Sequence, residues 1–227
     1  MTFLNYFYRL LHRDRIFVND VLSYVKKKAN PVILEAGAAD GSDTFRFSKL
    51  MPNSVIYAFE PVKQNYNILL KTVEKQKNIR TFNMALSDFD GVTLMNVSHN
   101  VDSTDNVASS SSILNPKLHI DIYPQITFNQ KEKVIVKKID TWALENNVDH
   151  VDVMWLDMQG AEFKTLKASP EIMKTVKVLY TEVNFVETYE ECGLYEEYRD
   201  WLVSQGFILK KKEFRWKEQG NALFVRE

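Results

Sequence analysis

The chain holds a single cysteine, Cys192. A disulfide framework and a thiolate zinc site are therefore both excluded within one chain, and a lone thiol reads as a small semi-buried side chain before it reads as a nucleophile. No apolar run approaches the ~20 residues that a bilayer-spanning helix needs. The first residues, Met1-Thr2-Phe3-Leu4-Asn5-Tyr6-Phe7, have no basic region ahead of the apolar ones and no small-residue cleavage site. A secretory leader is thus not expected, and a cytoplasmic location is the default. Charge of one sign is also missing: 29 Lys and Arg face 30 Asp and Glu, a net charge of −1. A dedicated nucleic-acid binder usually carries a basic surplus, so nucleic acid is not an expected partner. The four histidines, His12, His99, His119 and His150, show neither H-x-H nor H-E-x-x-H spacing, so a histidine metal site has no support.

What the 227 residues do contain is alternation. Short β-branched runs are followed by longer amphipathic stretches, which points to an α/β protein with a mostly parallel sheet. Residues 1–28 read as helical, with Phe3, Phe7, Leu10, Leu11, Ile16, Val21, Leu22 and Val25 on apolar spacings, and Asn30-Pro31 ends the pattern. The aromatic stripe at the start of this segment reads as core packing or the contact of a homodimer rather than a membrane anchor. Strands are expected at Val32–Ala36, Val55–Phe59, 79–84, 134–139, 151–156 and 176–183, with a closing pair at 207–209 and 222–225. Helices are expected from Ser42, over 62–74, from Thr141, after Gly160 and over Tyr195–Ser204. Asp90-Gly91 reads as a turn between 85–89 and 92–97, as in a hairpin or a sharp bend. Residues 98–131, with Asp102, Ser103, Thr104, Asp105, Asn106 and the serines 109–112, read as a long polar loop. The expected architecture is one doubly wound, Rossmann-like domain over 31–227, about seven strands with helices on both faces, preceded by a helical extension over 1–30.

Val32-Ile33-Leu34-Glu35-Ala36-Gly37-Ala38-Ala39-Asp40-Gly41 lies where open α/β sheets bind ligands, at the carboxyl end of a strand. Gly37 and Gly41 let the backbone turn and approach a ligand without a Cβ, and the next helix offers free amides to an anion. A dinucleotide fingerprint would have three glycines, but here Ala39 takes the second position, and Glu35 and Asp40 put carboxylates beside the turn. Those charges oppose a diphosphate and suit S-adenosylmethionine, which carries an ammonium and a sulfonium. Glu60 ends the second strand, 23 residues after Gly37, where it can accept hydrogen bonds from ribose hydroxyls. That position alone does not separate a methyl donor from NAD.

Six segments in order carry a wider resemblance. They are Glu35 to Gly41; Phe59-Glu60-Pro61; Asn83-Met84-Ala85-Leu86-Ser87-Asp88; the serines 109–112 before Ile113-Leu114; Ile139-Asp140-Thr141-Trp142; and Leu156-Asp157-Met158-Gln159-Gly160-Ala161-Glu162. Together with the closing Asn221-Ala222-Leu223-Phe224-Val225, they resemble the successive motifs of FkbM-type methyltransferases from about residue 31 onward. The resemblance implies a class I S-adenosylmethionine-dependent methyltransferase, most often acting on hydroxyls of sugars or natural products. It implies a cofactor set of Glu35, Gly37, Ala38, Asp40, Gly41, Glu60, Pro61, Met84 and Ala85. Ser87 or Asp88 would meet the adenine amine, and Ser112 would sit on a loop folded over the ligands.

Asp157 projects from the carboxyl edge of an apolar strand and is the leading candidate for chemistry. Glu182, at the end of the next strand, and Glu162 are the other carboxylates in question. A pair of carboxylates can raise one pKa and make a base, or can hold a divalent cation such as magnesium that acidifies an acceptor hydroxyl. Glu162 also reads as a cap of the helix after Gly160. His99, in the polar loop, reads either as a base reaching substrate or as a solvent-facing side chain. Lys26-Lys27-Lys28 and Lys210-Lys211-Lys212 read as solvated element ends. The N/D-P-P-Y/F motif that receives planar amines in many methyltransferases is missing, and Leu156-Asp157-Met158-Gln159 stands in its place. Hydroxyl methylation of a glycan or small polyhydroxylated acceptor is therefore favoured over N-methylation, an NAD-dependent oxidoreductase or a non-catalytic binding module.

Overall fold

Val32–Ala36 (β1) is buried at every position, which a strand achieves only inside a sheet covered on both faces. Parallel to it run Val55–Phe59 (β2), with Ile79–Phe82 (β3) beyond, and on the other side Val153–Leu156 (β7) and Val178–Asn184 (β8). Gln219–Arg226 (β10) inserts antiparallel between β8 and Phe207–Glu213 (β9). The order is β3-β2-β1-β7-β8-β10-β9, a seven-stranded sheet in which β10 alone is reversed. This computed structural model describes residues 15–104, 107–214 and 217–227.

Alternation along the strands divides the core into two layers. Leu34, Tyr57, Phe59 and Leu156 face one side, around the fully buried Trp142 of helix Ile139–Glu145 (α5). Trp142 meets the rings of Tyr57 and Phe59 edge-on at centroid distances of 4.9 and 4.8 Å. Ile33, Ile56, Val153 and Trp155 face the other side. There Phe47 of helix Ser42–Leu50 (α2) packs with Val18, Val21, Leu22 and Val25 of helix Arg15–Val25 (α1). The N-terminal helix thus seals one face of the sheet, and the three- and four-residue spacings of its valines place them on one stripe. Phe3, Phe7, Leu10, Leu11 and His12 lie outside the described residues, and the helix ends at Val25 rather than running to residue 28.

Two expectations are corrected. The hairpin around Asp90-Gly91 does not form. Ala85–Leu86 (β4) and Gly91–Asn100 (β5) are separated by Ile126–Lys137 (β6), which pairs parallel with β4 and antiparallel with β5 in a second, three-stranded sheet. The reason lies in Asp90, whose two carboxylate oxygens accept from the Lys138 amide at 2.9 Å and the Thr141 hydroxyl at 2.8 Å. The turn is thereby tied to the start of α5 instead of closing on itself. The polar loop over 98–131 is also shorter than expected, because its ends belong to β5 and β6. Both strands have a solvated face, so their polar residues imitate loop composition.

The remaining helices are Lys63–Val73 (α3), His119–Ile122 (α4), Glu162–Lys167 (α6), Pro170–Met173 (α7) and Tyr195–Ser204 (α8). Among the described residues no helix is long and apolar enough to cross a membrane.

The packing of α1 generates a direct test. Val21 is fully buried and Tyr24, one turn on, is 46% exposed. Val21→Asp places an unpaired carboxylate against the sheet and should destabilise the protein by on the order of 3–5 kcal/mol. Tyr24→Asp should stay within about 0.5 kcal/mol. Equal melting temperatures for the two variants would contradict this docking.

Candidate active site

The strand order reverses between β1 and β7, so their carboxyl ends open the crevice in which doubly wound folds bind ligands. The two chains approach closely there. The Asp157 amide donates to the Ala36 carbonyl at 3.0 Å. Gly37 has φ +85°, and a Cβ on it would fall 1.8 Å from the Asp157 carbonyl oxygen. No residue but glycine fits. The amides of Gly37 and Ala38 both donate to the Phe59 carbonyl at 3.0 Å, tying the turn to the end of β2. Ala39 is left-handed at φ +48°, and its amide donates to Glu60 Oε2 at 2.8 Å. Gly41 serves elsewhere. Its absent Cβ would lie 2.6 Å from Leu69 Cδ1, so it lets α2 close against α3 rather than facing the cleft.

A cleft of about 590 Å³ runs from this turn, within the ~300–1,000 Å³ of small-molecule sites. Its acidic lining is Glu35, Asp40, Asp43, Glu60, Asp157 and Glu182, and no Lys or Arg lines it among the described residues. Glu35 is buried and accepts from the Thr44 hydroxyl at 2.5 Å. Burial, reinforced by the charge of Asp43, holds its carboxyl well above the usual range. Asp40 Oδ1 accepts from the Ser42 amide at 3.0 Å, which starts α2. Glu60 accepts from Ala39 and, at 2.8 Å, from the Val62 amide. Burial nevertheless pushes its pKa up to about 7. Pro61, Met84 and Ala85 form an apolar slot beside it.

The serine-bearing loop covers this end. Asn65 of α3 accepts from the Ala108 amide at 2.9 Å and donates to the Ala108 carbonyl at 3.3 Å, while its Nδ2 also lies 3.4 Å from Glu60 Oε1. Sequence reasoning missed Asn65, because an amide inside a helix has no motif. The serines are ordered by their own hydroxyls: Ser111 Oγ accepts from the Ser98 amide and donates to the Ala108 carbonyl, both at 2.9 Å. Ser112 is corrected as a ligand contact. It is wholly buried, with its hydroxyl donating to the Gln159 carbonyl at 2.8 Å and accepting from the Leu114 amide at 3.1 Å. Ser87 and Asp88 bond each other at 2.9 Å and do not line the cleft.

At the other end, Gln159 is the hub, held at φ +54°. Its Nε2 donates to Asp157 Oδ1 at 2.7 Å and Glu182 Oε2 at 3.1 Å. Gln219 Nε2 donates to the second Glu182 oxygen at 3.0 Å. Burial first, then the charges of Asp157 and Glu162, pushes the Glu182 carboxyl well up. Glu162 takes the capping role. It is buried, accepts from the Met158 amide at 2.5 Å, and burial raises it to about 7. An amide donor thus stands between Asp157 and Glu182 where a cation would have to sit. Among the described residues no three His, Cys, Asp or Glu converge on one point. The carboxylate pair does not fit a magnesium site.

His99 is also corrected. Strand β5 turns it into a separate cavity of about 350 Å³ with Gln64, Asn100 and Asn129, away from Asp157. The histidine that lines the main cleft is His119. Nothing in the spacing around it distinguishes the two, since both fall in the polar stretch.

Fold and crevice are those of the class I methyltransferase fold. Fibrillarin of Methanococcus jannaschii, a pre-rRNA processing protein, superposes with a TM-score of 0.52 at 14% identity, over 88% of this chain and 68% of that one. A fibrillarin/Nop5p complex structure gives 0.51 at 14% identity, over 92% and 81%. These likenesses concern the fold alone. The methyltransferase FkbM domain profile matches residues 35–209. Over 164 residues the chain is 30% identical to the 2-O-methyltransferase NoeI of Sinorhizobium fredii (strain NBRC 101917 / NGR234), spanning 72% of this chain and 68% of that protein. The chain belongs to the FkbM methyltransferase family, and it is an S-adenosylmethionine-dependent methyltransferase.

The residues fit that donor: carboxylates line the cleft, no lysine or arginine lines it among the described residues, and Glu60 stands beside an apolar slot. The buried acids also set a pH signature. Glu35, Glu60, Glu162 and Glu182 all have folded pKa values raised above about 4.5. Such groups favour the folded state below the unfolded pKa, and that contribution is lost as pH rises through the folded values, about 7 for Glu60 and Glu162. The ligand-free protein should therefore melt at progressively lower temperature from about pH 5 to about pH 8. A melting temperature that climbs across this window would contradict the burial of these acids.

Proposed function

We propose that the protein methylates a hydroxyl of a sugar or other polyhydroxylated small molecule. The supporting observation is the character of the cleft wall around Asp157. Gln159, Gln219, Asn221 and Tyr123 offer neutral groups that donate and accept hydrogen bonds beside the carboxylate of Asp157. Such a wall suits a neutral acceptor with several hydroxyls. The name of the 2-O-methyltransferase relative supports the same direction, as does Asp157-Met158-Gln159-Gly160 in the place where a planar-amine motif would stand.

S-adenosylmethionine supplies a methyl group already activated on a sulfonium. The protein's part is then alignment and exclusion of water. Glu60 Oε2, which accepts only from the Ala39 amide, keeps a lone pair for a ribose hydroxyl, and Pro61, Met84 and Ala85 flank the adenine. The Gly37-Ala38 turn and Glu35, Asp40 and Asp157 hold the cationic amino-acid end. Asp157 and Glu182, oriented by Gln159 and Gln219, accept hydrogen bonds from acceptor hydroxyls. Residues 31–227 make up the catalytic domain, and the segment before them is its helical extension.

Replacing Glu60 with Ala should weaken donor binding by about 1.5–3 kcal/mol in calorimetry, the scale for a charged hydrogen-bonding group. Unchanged affinity would remove Glu60 from the ribose contact. Asp157→Asn should lower kcat more than donor affinity. With methyl-labelled donor, label should pass to methyl glycosides as an alkali-stable ether and be lost when the 2-hydroxyl is replaced by hydrogen. Label appearing only on amines would replace this reading with N-methylation.

A further inference from the structure

The proton released by the acceptor hydroxyl needs a destination, and the two carboxylates at the site are poorly placed to be it. Both Glu182 oxygens and one Asp157 oxygen already accept amide hydrogen bonds from Gln159 and Gln219. His119 also lines the cleft and is buried, with 2% exposure. Its Nδ1 is buried and has no hydrogen-bond partner among the described residues. A cleft-lining imidazole with an unpartnered nitrogen holds hydrogen-bonding capacity that the fold itself does not use.

Its surroundings fix where it points its chemistry. The ring packs between Tyr123, Phe128 and Tyr189 at centroid distances of 5.0, 5.3 and 5.2 Å. The amides of Lys117 and His119 both donate to the Thr188 carbonyl, at 2.9 and 3.0 Å, which fixes the start of α4. The Tyr189 hydroxyl lies 3.1 Å from Gln159 Oε1, and Gln159 is the residue that holds Asp157. Tyr123 lines the same wall, and burial, with the charges of Glu218 and Glu182, pushes its phenol up. His119 is therefore joined to the Asp157–Gln159–Glu182 cluster through Tyr189, whose ring it packs against and whose hydroxyl meets Gln159.

We propose that His119 contacts the acceptor and that its imidazole takes the hydroxyl proton during methyl transfer. The assignment rests on hydroxyl methylation being the reaction. An acceptor oxygen lone pair forms the new C–O bond while the C–S pair stays with sulfur. The hydroxyl proton passes to the imidazole, and the positive charge of the sulfonium reappears on imidazolium. Burial holds His119 down at about 4, so the ring is neutral before the reaction. A strong base is not needed, because an oxygen bearing both the new methyl and its proton is highly acidic.

The test compares wild type with His119→Gln and His119→Phe, the latter keeping the ring volume. It uses the acceptor among the methyl glycosides that wild type labels best. Both variants should bind S-adenosylhomocysteine within about threefold of wild type and lose at least about 100-fold in kcat. A His119→Ala variant should regain activity with added 4-methylimidazole, which a purely structural role would not permit. In the S-adenosylhomocysteine complex, that same glycoside should shift the His119 ring nitrogen resonances without turnover. Near-wild-type kcat in His119→Phe, or a silent His119 resonance on saturation, would overturn the assignment of His119 alone. No label on any glycoside hydroxyl by wild type would instead remove hydroxyl methylation, and this role with it.

Discussion

The contact on which the site depends is the meeting of two backbones at the reversal of strand order. Gly37 sits so close to the Asp157 carbonyl that no side chain can stand between them. That closeness lets β1 and β7 end in one crevice rather than two. The glycine turn is hydrogen-bonded to Phe59, Ala39 to Glu60, and Asp157 to Ala36, so three strand ends share one hydrogen-bonded frame. A shift of the Gly37 turn would therefore move Glu60 and Asp157 together.

The buried acids are the energetic counterpart of that frame. Six carboxylates line the cleft, no lysine or arginine lines it among the described residues, and burial raises the pKa of Glu35, Glu60 and Glu182. A cationic ligand reverses the balance by favouring their charged forms. The protein thus holds acid where a fold built for stability alone would place apolar side chains. A diphosphate would face the opposite situation, which is why Ala39 at the second glycine position and the acids beside the turn point away from dinucleotides.

Much of the fold could be read from the chain. β1, β2 and α8 were legible to the residue, because their apolar runs and helical spacing are set by burial that the sequence itself displays. The second sheet was not, because β5 and β6 expose one face and their polar residues look like loop. The family motifs led to Glu35, Glu60 and Asp157 at the cleft, since strand ends fix those positions. Ser112, His99 and His119 depend on which way a side chain turns once the second sheet has formed. No local spacing encodes that, so the sequence favoured the histidine that faces elsewhere.

Asn65 joins two jobs that are usually separate. The same amide grips Ala108 in the covering loop and touches the carboxylate of Glu60. The loop above the crevice and the acid at the end of β2 are therefore latched by one side chain. A displacement of that loop reaches the Glu60 carboxylate through a single amide, so the two ends of the latch cannot move independently of each other.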